Sequence, residues 1–254
     1  MTAAIGLALA ASVLIGLALG LLGGGGSILT VPVLVYVAGV DTKSAIAMSL
    51  VVVGVTSAVA LIPHARAGRV QWRTGALFGA AGMAGAYAGG RVAAFIPGSI
   101  LLIAFAVMML ITAIAMLRSR RGTTAPAPRP GARLPVMKIL AEGIAVGLAT
   151  GLVGAGGGFL VVPALVLFGG LPMPIAVGTS LLVIAMKSAA GLAGYLHSVT
   201  IDWRLTAAVT AVAVLGSIAG SRLAGRVDPV LLRRGFGCFV VVMGVGVLAG
   251  QLAG

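Results

Sequence analysis

Apolar residues in this chain run in long continuous stretches separated by short polar or basic loops. Ala3–Leu22, Ala45–Ile62, Thr74–Gly90, Ile100–Leu117, Ile139–Val153, Ala176–Leu196, Leu205–Ala219 and Phe236–Leu252 each approach the length of a membrane span. A span needs roughly 20 mostly apolar residues to cross ~30 Å of hydrocarbon. Alternation in ~10-residue pieces, the mark of a membrane β-barrel, is absent. The pattern therefore predicts a polytopic bundle of membrane helices. With no positive charge ahead of its apolar stretch, the N-terminal segment reads as a first span and not as a cleaved leader.

The pattern also occurs twice. Gly20 to Pro32 read GLLGGGGSILTVP and Gly151 to Pro163 read GLVGAGGGFLVVP, and from Gly16 to Gly39 against Gly147 to Gly170, 14 of 24 positions are identical. The two tryptophans fall on the same offset of 131, Trp72 before Arg73 and Trp203 before Arg204. Self-similarity at a fixed period means one structural unit used twice, and apolar repeats of this kind are typical of transporters. The halves comprise residues 1–117 and 139–254. Between them, residues 118–138 carry six positive charges, no acid and four prolines, which predicts a linker without packed structure on the cytoplasmic side.

Composition agrees. Sixty per cent of residues are apolar and 8% charged, against about 25% charged in soluble domains. The 40 glycines suit close helix contacts in lipid, and Gly82, Gly85, Gly89, Gly90, Gly216 and Gly220 read as contact faces. The net charge of +13 lies in loops and the linker, as topology signals and anionic-lipid contacts do, which argues against nucleic-acid binding. A single cysteine, Cys238, excludes a disulfide framework within the chain. His64 and His197 sit at span ends without neighbouring ligands, and no cofactor or metal is expected.

The glycine clusters admit two counts. Four full spans per half follow if each cluster interrupts one crossing, and five segments if it is a turn between a long and a short segment. An odd number inverts the second half relative to the first. Charge bias favours inversion: Arg66, Arg69 and Arg73 crowd one loop of the first half, whereas Arg222, Arg226, Arg233 and Arg234 crowd the following, non-equivalent loop of the second. The expected fold is thus an all-α polytopic membrane protein. Its two homologous halves form an inverted repeat, each with about four full spans plus a short segment after a glycine-rich break. The breaks are expected to approach from opposite sides and meet near the membrane midplane.

Consecutive glycines disfavour helix by about 1 kcal/mol each against alanine. Unwound backbone at membrane depth is tolerated only where it is buried in protein or lines a cavity. The helix N-termini that follow would offer free N–H groups to an anion; close helix crossing at a glycine-rich hairpin is the other reading. The candidate substrate-binding residues are Gly23, Gly24, Gly25, Gly26 and Ser27, and Gly154, Ala155, Gly156, Gly157 and Gly158. Ser49 and Ser180, paired by the repeat, are candidate hydroxyl donors. Lys187 is the one ionisable residue deep within a span, a functional-site signal by default; a lysine donating to nearby backbone is the plainer alternative. No Walker A, Rossmann, Ser-His-Asp or H-E-x-x-H arrangement is present, so neither nucleotide binding nor an enzyme is expected.

The motifs GLLGGGGSILTVPVLV and GLVGAGGGFLVVPALV, the basic central linker and the Gly178–Ser180 run together resemble the TauE/SafE family of sulfite exporters over nearly the whole chain. That resemblance implies a multi-pass permease of the bacterial cytoplasmic membrane. It would move small sulfur-containing or organic anions such as sulfite or sulfonates, as a secondary transporter by alternating access. The first copy departs from the second in having Ser27 where the second has Gly158. An anion channel and a non-transporting scaffold subunit are the competing readings. Expected partners are the anion and the lipid bilayer, with homo-oligomer formation left open.

Overall fold

The computed structural model of the chain describes residues 2–23, 26–118, 136–153, 158–167, 169–226 and 228–253. Most of the linker 118–138 and the cluster residues Gly24, Gly25, Gly154, Ala155, Gly156 and Gly157 lie outside the described residues. The described residues form helices and no strand. In the first half α1 spans Thr2–Leu22 and α2 Ser27–Pro32, running on as a π-helical turn over Val33–Val37. They are followed by α3 (Thr42–Arg66), α4 (Trp72–Ala93) and α5 (Gly98–Arg118). The second half repeats the order with α6 (Val136–Val153), α7 (Gly158–Leu167), α8 (Met173–Tyr195), α9 (Trp203–Leu223) and α10 (Pro229–Ala253).

Several helices begin before their apolar stretches because polar residues cap them. The Asp41 carboxylate accepts from the Lys43 and Ser44 N–H groups at 3.0 and 3.4 Å, opening α3. Asp202 does the same for Arg204 and Leu205 at 3.0 and 3.1 Å, opening α9. Such caps satisfy amides that the first helical turn leaves free. Pro32 has no N–H to donate, and the ladder after it widens: Ala38 N–H reaches the Val33 carbonyl at 3.0 Å and Val40 N–H that of Leu34 at 3.0 Å. The equivalent pair recurs in the second half, Gly169 to Ala164 and Leu171 to Leu165. Gly39 and Gly170, equivalent by the repeat, both take a positive φ, 68° and 65°, a left-handed conformation glycine adopts without strain. Sequence duplication is therefore also duplication of local geometry.

The halves interlock. Helix α1 packs along α9, and its repeat partner α6 packs along α4. Glycines carry both seams. A Cβ on Gly85 would lie 2.7 Å from the Leu148 nitrogen, and one on Gly143 2.8 Å from the Phe78 carbonyl oxygen. At the other seam, Gly16 faces Ala213 and Gly220 faces Leu17. Only glycine lets backbones approach this closely. Leu7, Leu14, Ile111, Leu215 and Val242 point outward and stay exposed, as expected of side chains whose solvent is lipid. Over the described residues, Thr42–Arg66, Met173–Tyr195 and Trp203–Leu223 are long and apolar enough to cross a membrane, beside shorter apolar helices such as Gly98–Ile114.

The directions of the central helices follow from which residues meet. On α3 and α8, Leu50 lies against Gly191 while Gly54 lies against Ser188, so these repeat equivalents run antiparallel. On α4 and α8, Gly75 meets Thr179 and Leu182, Gly82 meets Lys187, and Gly90 meets Gly194, so that pair runs parallel.

Candidate functional site

Helix α1 ends in a sharp turn. Gly23 is buried with φ 74°, and Gly26 returns the chain against α1, where a Cβ would sit 2.6 Å from the Leu19 side chain. Gly26 then caps α2, its carbonyl accepting from Leu29 N–H at 3.2 Å and the Thr30 hydroxyl at 3.3 Å. Gly23 and Gly26, the described residues of the first cluster, therefore lie at a reversal between a long and a short segment. Ser27 and Gly158, the first residues of α2 and α7, are both buried.

Gly23 faces the other half of the chain. A Cβ there would lie 2.7 Å from Ser180 Oγ and 3.0 Å from the Val177 carbonyl oxygen. Two of the expected site residues, Gly23 and Ser180, are thus brought together. Ser180 Oγ donates to Val177 O at 2.7 Å, and Ser49 makes the equivalent bond to Ile46 O at 2.7 Å. Each member of the Gly178–Thr179–Ser180 run meets a different part of the first half. Gly178 lies under the Arg69 carbonyl and 3.4 Å, measured from an added Cβ, from His64 Cβ. Thr179 Oγ1 accepts from Gln71 N–H at 2.9 Å.

The 21-residue α1 is about 32 Å long at 1.5 Å per residue, and the first break follows its last turn. Gly23 sits level with residues 177–180, within two turns of the start of α8. The first break lies toward one end of the bundle.

His64 is more than an isolated histidine at a span end. Its ring is 1% exposed, and Nε2 bonds the Gly20 carbonyl at 3.1 Å; since a carbonyl only accepts, Nε2 carries the hydrogen. The repeat equivalent of His64 is Tyr195, whose hydroxyl donates to Leu152 O at 2.8 Å. Both side chains thus tie down the last turn before a glycine break, and the shared offset of 131 was the signal available in the sequence. His64 Nδ1 and Arg69 Nε are buried without a partner. Burial also holds the Arg69 guanidinium below its ordinary pKa, because taking a cation out of water without a counter-charge disfavours it.

Lys187 is 1% exposed in the middle of α8. Its ammonium donates to Thr150 Oγ1 at 3.0 Å, one turn ahead of the second cluster. Its stem fills the space opposite Gly82, where a Cβ would come within 2.8 Å of Cδ. Among the described residues no aspartate or glutamate is buried. Thr56, the repeat equivalent of Lys187, and the paired Ser57 and Ser188 are buried with hydroxyls that lack partners. The bundle centre thus holds polar groups whose hydrogen bonding is incomplete, an unusual and costly state. Among the described residues no group of three His, Cys, Asp or Glu could hold a metal.

Comparison with known proteins gives a consistent picture. The model of the family described as "Sulfite exporter TauE/SafE" matches residues 8–247. A protein of Xylella fastidiosa (strain Temecula1) named probable membrane transporter protein is 37% identical over 242 residues, covering 92% of this chain and 91% of that one. Probable membrane transporter protein YdhB of Bacillus subtilis is 26% identical over 221 residues, 87% and 90% of the two chains. MJ0441 of Methanocaldococcus jannaschii, with the same description, is 29% identical over 198 residues, 74% and 72%. No solved structure matches the chain at a significant level.

Proposed function

The chain belongs to the sulfite exporter TauE/SafE family and is a membrane transporter, and from that premise we propose that it exports small sulfur-containing or organic anions by alternating access. Sulfite and sulfonates are the first substrates to try. The observation that carries the reading is Lys187: a buried amine with no buried carboxylate among the described residues to balance its charge, placed between a first break at Ser180 and a second that follows Thr150. An anion arriving there supplies the counter-charge that lets the amine hold its proton inside the bundle. Gly23–Ser27 and Gly154–Gly158 would be the backbone stations at either end of its path, with Ser49 and Ser180 supplying hydroxyls.

The antiparallel course of α3 and α8 supports an inverted repeat, as does the opposite charge bias of equivalent loops. Inversion lets one half's break open while the other closes, the logic of alternating access. We place the chain in the cytoplasmic membrane with linker 118–138 on the cytoplasmic side. For a monoanion, moving outward is downhill by ~2.3 kcal/mol per 100 mV of inside-negative potential, so export needs no coupling ion.

Reconstituted protein should show saturable uptake of radiolabelled sulfite or a sulfonate, stimulated by unlabelled anion loaded on the opposite side. Uptake without such counterflow means a channel, and no uptake of any small oxyanion means that transport of this class is the wrong reading. Topology is tested in a Cys238→Ser background with single cysteines at positions 69, 91, 204 and 226. Positions 69 and 226 should label from the cytoplasmic face and 91 and 204 from the other. Labelling of 69 and 204 from one side excludes inversion.

A further inference from the structure

Contacts between the halves come in related pairs. Moving one residue of a contact forward by the repeat offset of 131, and its partner back by the same number, gives a second contact. Gly16 against Ala213 becomes Gly147 against Gly82, Gly20 against Ser217 becomes Gly151 against Ala86, and Gly220 against Leu17 becomes Gly89 against Leu148. The α1–α9 and α6–α4 seams are thus images of each other. Helices α3 and α8 are equivalent by the repeat and pack on each other in opposite directions. On the inverted-repeat reading, the axis relating the halves therefore passes through their crossing. Gly54 stands midway along α3, and a Cβ there would lie 3.0 Å from Ser188 Cβ and 3.8 Å from its Oγ. The same exchange sets Ser57, one turn further along α3, opposite Ala185. Two equivalent serines thus flank the axis near the middle of both helices.

A hydroxyl buried on a helix can satisfy itself on a carbonyl one turn back. Ser12 does so on Ala8 at 2.7 Å, Thr112 on Met108 at 2.8 Å and Ser217 on Val214 at 2.8 Å. Ser57 and Ser188, 0% and 1% exposed, do not, and both Oγ atoms lack a partner. Leaving a buried hydroxyl unpaired is costly, yet the omission falls on the same position of both copies. Thr56, also unpartnered, is a different case. It is the image of Lys187, and Leu19 stands where Lys187 finds Thr150, so the fold gives Thr56 an apolar neighbour.

We propose that Ser57 and Ser188 are a matched pair of substrate donors, one from each half, that bind the same small oxyanion at the crossing of α3 and α8. A hydroxyl can donate one hydrogen bond to an anion oxygen, and the two serines would grip the guest from opposite sides of the axis. Lys187, next to Ser188 in the chain, brings the charge. As one half's break opens, the anion reaches the crossing and takes both hydroxyls. A pair related by two-fold symmetry meets a guest arriving from either face in the same way, so the site keeps its chemistry when access switches. The inference rests on the transport reading above and names the donors that hold its substrate at the centre.

The test combines binding, transport and stability. Thermal stabilisation of the purified full chain, and initial rates in proteoliposomes, are measured with sulfite, thiosulfate and methanesulfonate at fixed ionic strength. At least one oxyanion should stabilise the wild type. Ser57→Ala and Ser188→Ala should each weaken its apparent affinity and raise its KM about tenfold, the range for one hydrogen bond to a charged group. Without ligand, both variants should keep or raise the thermal midpoint, because each removes an unpaired buried hydroxyl. Ser12→Ala, which deletes a hydroxyl already satisfied within its own helix, should change affinity less than about twofold. Should an alanine variant fail to fold, cysteine, which nearly keeps the volume and donates weakly, takes its place. Affinity and KM unchanged in both serine variants overturn the donor pair, as does a loss confined to one of them. A lowered midpoint with unchanged affinity makes the serines packing residues and also overturns it. Oxyanion binding that needs both serines, in a protein that carries no anion across the bilayer, leaves the site standing and removes the transport reading. Transport that both variants sustain as the wild type does has the reverse meaning. Neither binding nor transport by the wild type overturns both.

Discussion

Replacing Lys187 with methionine is expected to lower saturable anion transport by about a hundredfold or more while leaving the protein folded. The scale follows from removing a desolvated charge that an anion would pair with, where one broken buried pair is worth about 3–5 kcal/mol. Methionine keeps most of the stem that packs opposite Gly82, so the cavity cost is small. Stability should hold or rise, because apolar replacement of an incompletely paired buried charge removes a desolvation penalty. Thr150→Val, which deletes the hydroxyl that receives the ammonium, should affect transport less and stability more, as it leaves Lys187 buried without its partner. The measurements are initial rates in proteoliposomes and the thermal midpoint of purified protein. A methionine variant that transports as the wild type does, with lowered stability, would make Lys187 a packing residue and sink the proposed path.

The second large effect concerns assembly. Gly147→Leu should abolish the folded protein. A Cβ at Gly147 would lie 2.8 Å from Gly82 Cα and 2.9 Å from its carbonyl carbon. Those are backbone atoms of α4, and they can retreat only by parting the helices. Parting them undoes the whole seam, including Gly85 against Leu148 and Gly151 against Ala86. Overpacking costs about 1–3 kcal/mol at an ordinary core site and more where nothing can yield, a large share of a stability of roughly 5–15 kcal/mol. Gly246→Leu is the control, since an added Cβ on that glycine meets nothing within 4 Å. Fluorescence size-exclusion profiles should show loss of the monodisperse peak for the first variant and an unchanged peak for the second.

Much of this was legible before any coordinates. Strict spacing of the copies located the first glycine break, and the glycines at positions 82, 85, 89, 216 and 220 announced close seams. The sequence could not say which helices those seams join, because partner choice is settled by tertiary packing between segments far apart in the chain. That α1 pairs with α9, and α6 with α4, has no local signature. His64 looked like an isolated histidine at a span end; only the fold reveals that it meets Gly20 and shares that task with Tyr195. The Gly178–Ser180 run was recognised as a family feature, and its contacts with Gly23, His64 and Gln71 supply a physical reason for it.

The crossed pairing of the halves also bears on how the protein is made. Gly16 must wait for Ala213, which leaves the ribosome roughly ten to forty seconds later at ordinary synthesis rates. During that interval the early segments lie in the membrane with their glycine-lined grooves unfilled, open to wrong neighbours. Assembly of this chain therefore requires its first helices to stay clear of other partners until their mates arrive. For the same reason, two separately produced halves should mature only when made together.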